Sequence, residues 1–558
     1  MEISKRPFKN VLRRLAFIAV ILWPVLLVAG QGAQDQRPES SAHQPTVSAQ
    51  PSSGNISTEK ASSGHQHDKN AQTEQAPAET RISPQEAEEL FRSVDKIINF
   101  SSQDTGLPVL HAVKRQLINR DRLTAYLEKH MEKDKDSQRL KRSELVLKKF
   151  GLLPRDFDLH SFLLSLLREQ VAGYYDVETK TVNLLDWVDA EQQKPVLAHE
   201  LTHALQDQSF HLEKWMKVGD ADLALSDENP TPADIERDEA QTVRQAVVEG
   251  QAMAVLVDYM LAPTGQSLTT SPQIVEALKA GMLVGTADSV HFQNAPIFLK
   301  EILTFPYRYG LDFVSDVLTK DGKQKAFAGI LGSPPHTTRE IMEPKTYLAG
   351  QRVEPLQLPD FARLMKDYQK FDVGSMGEFD VALLLDEYAG TDASKALYPD
   401  WRGGYYYAAH PKGDPGAPLA MVYVSQWVSP ETAQKFATIY ADSLKKRYRS
   451  VRVVTAEAEP QSSGVKPKAN RDNHEWLTEE GDVVIDVQDR SVFISESVDD
   501  VTSETLREAV FSGQPKLTEL SPDQLMPLCS PISSWVNSFS ISMLPSRPAR
   551  TGTLSPSR

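Results

Sequence analysis

The sequence reads Pro195-Val-Leu-Ala-His-Glu-Leu-Thr-His-Ala-Leu-Gln-Asp207 near the middle of its 558 residues. His199 and His203 are four positions apart, and Glu200 follows the first histidine. Because an α-helix has about 3.6 residues per turn, both imidazoles lie on one face and can reach one metal ion. Glu200 lies at the rim of such a site, where a carboxylate can take a proton from water and pass it to a leaving group. The pattern predicts a zinc hydrolase with two histidine ligands and Glu200 as general base.

The motif specifies only three residues, so on the order of one in fifty to a hundred chains of this size would contain it by chance. The flanking sequence must therefore support the interpretation. Pro195 suits the first turn of the helix, where its missing N–H costs nothing. Segments 171–176 and 181–186 are rich in strand formers, and 177–180 suits a hairpin turn between them. The exposed edge of this hairpin could hold a peptide beside the metal, with Gly173 allowing a close backbone approach. A purely structural hairpin is the alternative.

Composition and charge exclude several classes of protein. The chain is 40% hydrophobic, enough for a large core and at least two domains. The formal net charge of −15 disfavours a phosphate backbone, so nucleic acid is not an expected partner. Cys529 is the single cysteine, so no internal disulfide can form.

The two ends of the chain differ in composition from the middle. Basic residues precede an apolar run from Leu15 to Ala29, which predicts a signal peptide over residues 1–30 and export to the periplasm or the extracellular space. An uncleaved membrane anchor formed by residues 15–29 is the alternative, and it is the only membrane contact expected. Residues 31–80 have almost no large apolar side chain and predict a disordered low-complexity linker. Residues 514–558 predict a flexible tail.

The middle of the chain changes from helical to strand-rich patterns. Apolar spacing predicts helices over 84–100, 120–150 and 159–170 before the hairpin. Beyond about Gly374 the composition favours strands with one helix at 430–446. The predicted strands are 403–408, 419–427, 451–454, 483–487 and 491–495.

A catalytic zinc site usually has three protein ligands and keeps the fourth position for water, so a third donor must come from elsewhere. His211 is one option, but the metzincin pattern requires glycine and histidine where this chain has Gln206 and Ser209. A carboxylate in the run 234–239 is another, although that run is polar on nearly all sides and is typical of a solvated helix start. The third option is Glu249.

Glu249 lies in a predicted helix over 241–260, where its neighbours one turn away include Ala246 and Met253. An unpaired carboxylate on such an apolar face is costly to bury, and a divalent metal ion offsets that cost. Ala246, Gly250 and Ala252 are small enough to let this helix pack close to the His-Glu helix. Metal ligation by Glu249 is therefore favoured over the alternative, a salt bridge to an arginine or lysine.

The motif resembles the active helix of thermolysin-like gluzincins, in which two histidines and a downstream helical glutamate bind zinc. The larger context resembles an uncharacterised family of exported bacterial metallopeptidase-like proteins, well over residues 85–350 and more weakly over 375–512. The shared motifs are Gly173–Asp176, Glu249–Ala252, Phe305–Gly310, Pro334–Ile341 and Pro344–Tyr347. This resemblance implies His199, His203 and Glu249 as zinc ligands and Glu200 as the general base.

The resemblance and the patterns together predict an α+β chain. Residues 81–372 are expected to form a mainly helical, zincin-like metallohydrolase domain with a small β-hairpin or sheet. Residues 373–513 are expected to form a smaller α+β domain without a recognisable catalytic constellation.

Further residues are candidates for supporting roles. Asp207 follows His203 by four positions and could accept the second N–H of a ligand imidazole, with an exposed helix-end carboxylate as the alternative. An oxyanion stabiliser must come from another segment, and Tyr307, Tyr309 and His336 are the candidates. Core packing is the ordinary explanation for the two tyrosines.

We therefore expect an exported zinc-dependent hydrolase, a metallopeptidase that acts on a peptide or protein substrate. The alternative is a non-catalytic envelope or binding protein that retains a zincin-like fold, and a third reading is a helical protein with a fortuitous motif. Glu200 favours the enzyme, because a structural zinc site needs the histidines but not this carboxylate.

Overall fold

The computed structural model describes residues 81–131, 134–171, 173–217, 231–285, 290–354, 356–454 and 475–513. The predicted signal peptide, linker and tail lie outside these residues. The described chain is mixed α+β, as predicted.

The first part of the chain, up to Leu364, is mainly helical and holds a three-stranded sheet. The strands are β1 (Lys114–Ile118), β2 (Tyr174–Asp176) and β3 (Thr181–Leu185). β3 is central; it pairs in parallel with β1 and antiparallel with β2, so β2 is an edge strand. The longer helices are α1 (Pro84–Thr105), α2 (Arg120–Met131), α3 (Asp134–Phe150), α4 (Leu159–Gln170), α5 (Ala190–Phe210), α6 (Pro232–Leu261), α7 (Ile274–Gly285) and α8 (Ile297–Gln324). Short helical turns are Leu212–Trp215, Ala262–Thr264, Val290–Gln293, Lys325–Gly329, Ile330–Gly332, Thr338–Met342, Pro344–Leu348 and Phe361–Leu364.

The second part is an antiparallel sheet with helices. Its strand order is β4-β5-β6-β10-β9-β8-β7. The strands are β4 (Tyr368–Ser375), β5 (Trp401–Pro411), β6 (Ala420–Trp427), β7 (Val451–Val453), β8 (Glu475–Thr478), β9 (Gly481–Gln488) and β10 (Ser491–Glu496). The helices are α9 (Glu378–Ala389), α10 (Thr391–Leu397), α11 (Pro430–Arg447) and α12 (Asp500–Gly513), and Tyr398–Asp400 forms a short turn. The predicted junction between residues 372 and 373 falls inside β4.

The helix that carries the motif begins earlier than predicted. Asp189 caps it by accepting hydrogen bonds from the backbone N–H groups of Glu191 and Gln192. Pro195 therefore lies inside α5, and its placement in the first turn was wrong. Proline has no N–H group, so the carbonyl of Glu191 loses its hydrogen bond from position 195. Glu191 is exposed, and water can donate to this carbonyl instead.

The motif helix lies in the core of the first part. α5 packs against α1 and α6, and α6 in turn packs against α8. Counted with the turn after it (Ala233–Thr264), α6 is long and apolar enough to cross a membrane, but 72% of its most apolar window is buried inside the protein. It is therefore the central helix of this core.

α6 and α8 cross at two glycines. A Cβ atom on Gly250 would collide with the backbone of Gly310, and one on Gly310 would collide with the carbonyl of Ala246. The small residues of α6 thus permit a close approach to α8. The predicted packing of α6 against α5 is also present, but Gly250 faces α8 and not α5.

Glu378 begins α9 and is fully buried where the helical part meets the large sheet. Neither carboxylate oxygen has a hydrogen-bond partner among the residues that the structure describes, and Nε of Arg339 is 3.7 Å away. Burial raises the pKa of Glu378 to about 9. The carboxyl group is therefore neutral in the folded protein at neutral pH.

Replacing Gly310 with alanine should destabilise the protein. Alanine is the better helix former, yet its methyl group has no room at the crossing, so we expect Gly310→Ala to lower the free energy of unfolding by roughly 1–3 kcal/mol. Chemical denaturation measures this change. Gly332→Ala is the matched control, because no atom lies within 4 Å of the added Cβ position. A Gly310→Ala variant as stable as the control would contradict the close crossing.

Replacing Glu378 with glutamine should remove a pH-dependent loss of stability. Between pH 4.5, the ordinary pKa of a glutamate, and pH 9, about the pKa of Glu378 in the folded protein, this carboxyl group is ionised only in the unfolded chain. The free energy of unfolding of the wild type therefore falls as the pH rises through this range. Glutamine cannot ionise. We therefore expect the free energy of unfolding of Glu378→Gln to exceed that of the wild type by roughly 3 kcal/mol at pH 7, and the difference to shrink toward pH 4.5. Thermal unfolding of both proteins at pH 5 and pH 8 tests this. An equal difference at both pH values would contradict the neutral buried carboxyl group.

Candidate metal centre

Three side chains that are far apart in sequence converge between α5 and α6. The Nε2 atoms of His199 and His203 are 3.1 Å apart. Oε2 of Glu249 lies 3.1 Å from Nε2 of His199 and 3.4 Å from Nε2 of His203. All three side chains are fully buried. The residues predicted as metal ligands are therefore in contact with one another.

The spacing of these three atoms suits a small divalent cation. Donor atoms held about 2.0–2.1 Å from a tetrahedral ion lie roughly 3.3–3.4 Å apart, close to the three observed distances. Nδ1 of His199 and Oε1 of Glu249 are buried and have no hydrogen-bond partner among the described residues. The cluster thus has the geometry of a three-donor metal site and lacks full hydrogen bonding of its own.

Burial and the neighbouring charges shift the pKa values of all three side chains. Burial lowers the pKa of His199 and outweighs the opposing effect of Glu249. Burial also acts to lower the pKa of His203, but the charges of Glu249 and Glu200 overcome it and raise that pKa to about 9. Burial acts to raise the pKa of Glu249, and the charge on His203 holds it below its ordinary value. These directions favour opposite charges on His203 and Glu249.

Glu200 lies beside the cluster and is tied to the edge strand β2. Its Oε2 atom accepts a hydrogen bond of 2.7 Å from the backbone N–H of Tyr175, while Oε1 is buried and has no partner in the part of the chain that the structure describes. Burial raises the pKa of Glu200 to about 8. One oxygen of the predicted base is thus anchored, and the other has no hydrogen bond.

Gln206 contacts the ring nitrogen of His203 that faces away from the cluster, and the sequence analysis missed this residue. Oε1 of Gln206 is 2.9 Å from Nδ1 of His203. Asp207 instead accepts hydrogen bonds from the hydroxyl of Tyr175 at 2.9 Å, Nζ of Lys180 at 2.6 Å and the backbone of Leu212 at 3.2 Å. The prediction that Asp207 orients an imidazole was wrong, because its side chain turns toward the β2–β3 hairpin. Positions three and four residues along a helix are both neighbours, so spacing alone could have indicated Gln206.

Of the two tyrosine candidates, one lies at the cluster. The ring of Tyr307 stacks on His199 with the ring centres 6.4 Å apart. Tyr309 packs against Phe305 and Phe379 in the core, away from the three ligands. Burial raises the pKa of Tyr309 to about 12. Its ring contacts are those of a core residue.

His336 lies at a different place. Its Nδ1 is 3.3 Å from Oε1 of Glu236, and its Nε2 is 2.7 Å from Nη2 of Arg352. These residues line a cavity whose walls also include Glu239. The prediction of His336 as an oxyanion stabiliser for the metal site was therefore wrong.

The two other options for a third ligand also lie outside the cluster. His211 ends α5 in a left-handed conformation, with φ of 52°, and is exposed. Glu239 is the buried member of the 234–239 run, and it accepts hydrogen bonds from the backbone and hydroxyl of Thr338 at 2.9 and 2.8 Å. The run does begin near the start of a helix, but its description as fully solvated was wrong for Glu239, whose pKa burial raises to about 7.

No family model, no curated protein and no solved structure matches this chain. The resemblance to gluzincins and the zincin-like fold therefore stay predictions.

Proposed function

We propose that this chain is an exported zinc-dependent hydrolase of the gluzincin type, a metallopeptidase with Glu200 as its general base. The observation that carries this proposal is the convergence of His199, His203 and Glu249, whose donor atoms lie 3.1–3.4 Å apart in a fully buried cluster.

The donor set favours zinc over other divalent ions. Two imidazole nitrogens and one carboxylate oxygen are common zinc ligands, whereas calcium and magnesium prefer sites made of oxygen alone. Three protein donors also leave one tetrahedral position for water or substrate, as catalytic sites do. When bound there, zinc would act as a Lewis acid that polarises a carbonyl group and makes water nucleophilic near neutral pH.

Glu200 supplies the proton transfers. The Tyr175 N–H fixes Oε2, so Oε1 is the atom that would take a proton from the attacking water and hand it to the leaving nitrogen. A base whose pKa lies near the working pH can both accept and release the proton, and burial gives Glu200 a pKa of about 8.

The surroundings of Glu200 support a peptide as substrate. β2 is the edge strand of its sheet, and an extended peptide can add to such an edge through main-chain hydrogen bonds. Tyr307, stacked on His199, is the candidate that could stabilise a developing oxyanion.

One observation favours the alternative, a non-catalytic envelope or binding protein with a zincin-like fold. His199, Glu200, His203 and Glu249 have no exposed surface, and closed sites are typical of structural zinc. Three donors in place of four, together with a carboxylate anchored beside them, favour the enzyme. Turnover distinguishes the two functions.

Zinc content tests the ligand set. We expect the purified chain to hold stoichiometric zinc and the variants His199→Ala, His203→Ala and Glu249→Ala to lose it, because each removes one of only three donors. Elemental analysis after dialysis measures the bound metal. His336→Ala is the matched control and should keep its zinc, since that histidine pairs with Glu236 and Arg352. Zinc that survives all three ligand substitutions would rule out this site.

Glu200→Gln tests catalysis separately from metal binding. Glutamine keeps the shape of the side chain but cannot accept a proton, so we expect retained zinc and a loss of roughly 10²–10⁴-fold in cleavage rate. Mass spectrometry of a digested peptide library, with and without a chelator, measures cleavage. His336→Ala should cleave like the wild type.

Two results would count against the peptidase. Unchanged cleavage in Glu200→Gln would remove Glu200 from the mechanism. A wild-type protein that holds zinc but cleaves no peptide in the library would support the non-catalytic alternative.

A further inference from the structure

Two buried glutamines connect His203 to the end of α8. Nε2 of Gln206 donates to Oε1 of Gln251 at 2.8 Å and to the carbonyl of Val248 at 3.1 Å. Nε2 of Gln251 donates to the carbonyls of Ala326 at 2.8 Å and Phe327 at 3.0 Å. Both glutamine side chains are fully buried. Together with the 2.9 Å contact between Gln206 and His203, they form a continuous chain of hydrogen bonds, which we call the amide relay.

The direction of the amide relay is fixed from its far end. Backbone carbonyls only accept hydrogen bonds, so the NH₂ group of Gln251 must face Ala326 and Phe327, and its oxygen must face Gln206. The NH₂ group of Gln206 then faces Gln251 and Val248, and its oxygen faces the imidazole. An amide oxygen also only accepts, so Nδ1 of His203 must carry a hydrogen atom. Nε2 is consequently the nitrogen that remains to bind a metal ion.

We infer that Gln206 and Gln251 are positioning residues that hold His203 in the tautomer and ring orientation required of a metal ligand. This inference rests on the proposed function, because it concerns the same site. A metal-bound histidine usually donates its second N–H to an acceptor, which fixes the ring and makes the ligand nitrogen a better donor. Here the acceptor is an amide whose own direction is set by a second amide.

The far end of the amide relay lies in an irregular part of the chain. Ala326 and Phe327 belong to the π-helical turn Lys325–Gly329, which follows a break in α8 at Gly322. Gly322 has φ of 78°, a conformation that favours glycine. π-Helical turns are rare and are frequent at functional sites. Two neighbouring carbonyls of this turn accept hydrogen bonds from the side chain of Gln251 on α6. These contacts explain why a glutamine suits position 251, two residues after Glu249.

The amide relay serves one of the two imidazoles. Within the described ranges, Nδ1 of His199 is buried and has no partner, so no hydrogen bond from these residues orients the first histidine at that atom. Gln193 provides a matched comparison on the same helix. It is equally buried and forms hydrogen bonds with the backbone of Leu185 and Val188, at 2.7–2.9 Å.

The test uses the full chain with Gln206→Met, Gln251→Met, the double variant and the control Gln193→Met. Methionine keeps the length of the side chain and removes its hydrogen bonds. Zinc affinity is measured by competition with a chelator of known affinity. We expect Gln206→Met to weaken zinc binding by about 10–100-fold and Gln251→Met to weaken it less. The double variant should bind like Gln206→Met alone, because Gln251 acts through Gln206. Gln193→Met should lower thermal stability and leave zinc affinity within about twofold of the wild type.

A second measurement needs no metal. Long-range ¹H–¹⁵N spectra of metal-free protein labelled with [¹⁵N]histidine report which ring nitrogens carry hydrogen. At a pH high enough for the imidazole to be neutral, we expect His203 to carry its hydrogen atom on Nδ1 in the wild type and in Gln193→Met, and to lose that preference in Gln206→Met. The His203→Ala spectrum assigns the signal. This result stands even for a variant whose zinc affinity falls below measurement.

The outcomes separate this inference from the proposed function. A wild type that binds no zinc overturns the proposed function, while the spectra still test the amide relay. Additive losses in the double variant, or an equal loss of affinity in Gln193→Met, would show that the glutamines are ordinary core residues. A wild-type His203 without a hydrogen atom on Nδ1 would overturn the amide relay directly.

Discussion

An ionised carboxylate buried out of contact with water must be compensated by a positive charge or by hydrogen bonds, and Glu249 imposes this constraint on the core. It lies on α6, whereas the two imidazoles that contact it, those of His199 and His203, lie on α5. The two helices must therefore meet at these positions. The close crossing at Gly250 and Gly310 then fixes α6 against α8, one residue after the buried carboxylate. Neighbouring residues of α6 thus set the cluster and the packing around it.

The hairpin is joined to the same helix at two points. The backbone N–H of Tyr175 donates to Glu200, and the hydroxyl of the same tyrosine donates to Asp207, seven residues or about two turns further along α5. Lys180, in the turn between β2 and β3, also pairs with Asp207. A single residue of β2 therefore aligns this edge strand with the helix that carries the cluster. Asp207, which the sequence suggested as a partner of histidine, stabilises this alignment.

Local patterns predicted much of this arrangement, and long-range contacts account for what they missed. The four-residue histidine spacing and the apolar neighbours of Glu249 are properties of single helices, so the three residues of the cluster could be named in advance. Helices 159–170 and 430–447 and most strands of the large sheet also follow from local periodicity. β1 was missed because Lys114–Ile118 begins with polar residues and pairs in parallel with a strand more than sixty residues away. Gln206 was passed over for Asp207 because helix geometry allows both, and only the hairpin determines which one turns away.

The distribution of these contacts indicates where a substrate could approach the cluster. On the side of α6 and α8, the two glycines leave no room and the buried glutamines are fully engaged. On the side of β2, the described residues include an edge strand whose Tyr175 N–H donates to Glu200. In the proposed function, a peptide adding to that edge would lie beside Glu200 while the Tyr175 N–H still holds Oε2, so that Oε1 stays the atom for proton transfer. The side on which a substrate would approach is therefore that of the hairpin, because α6 and α8 leave no room between them.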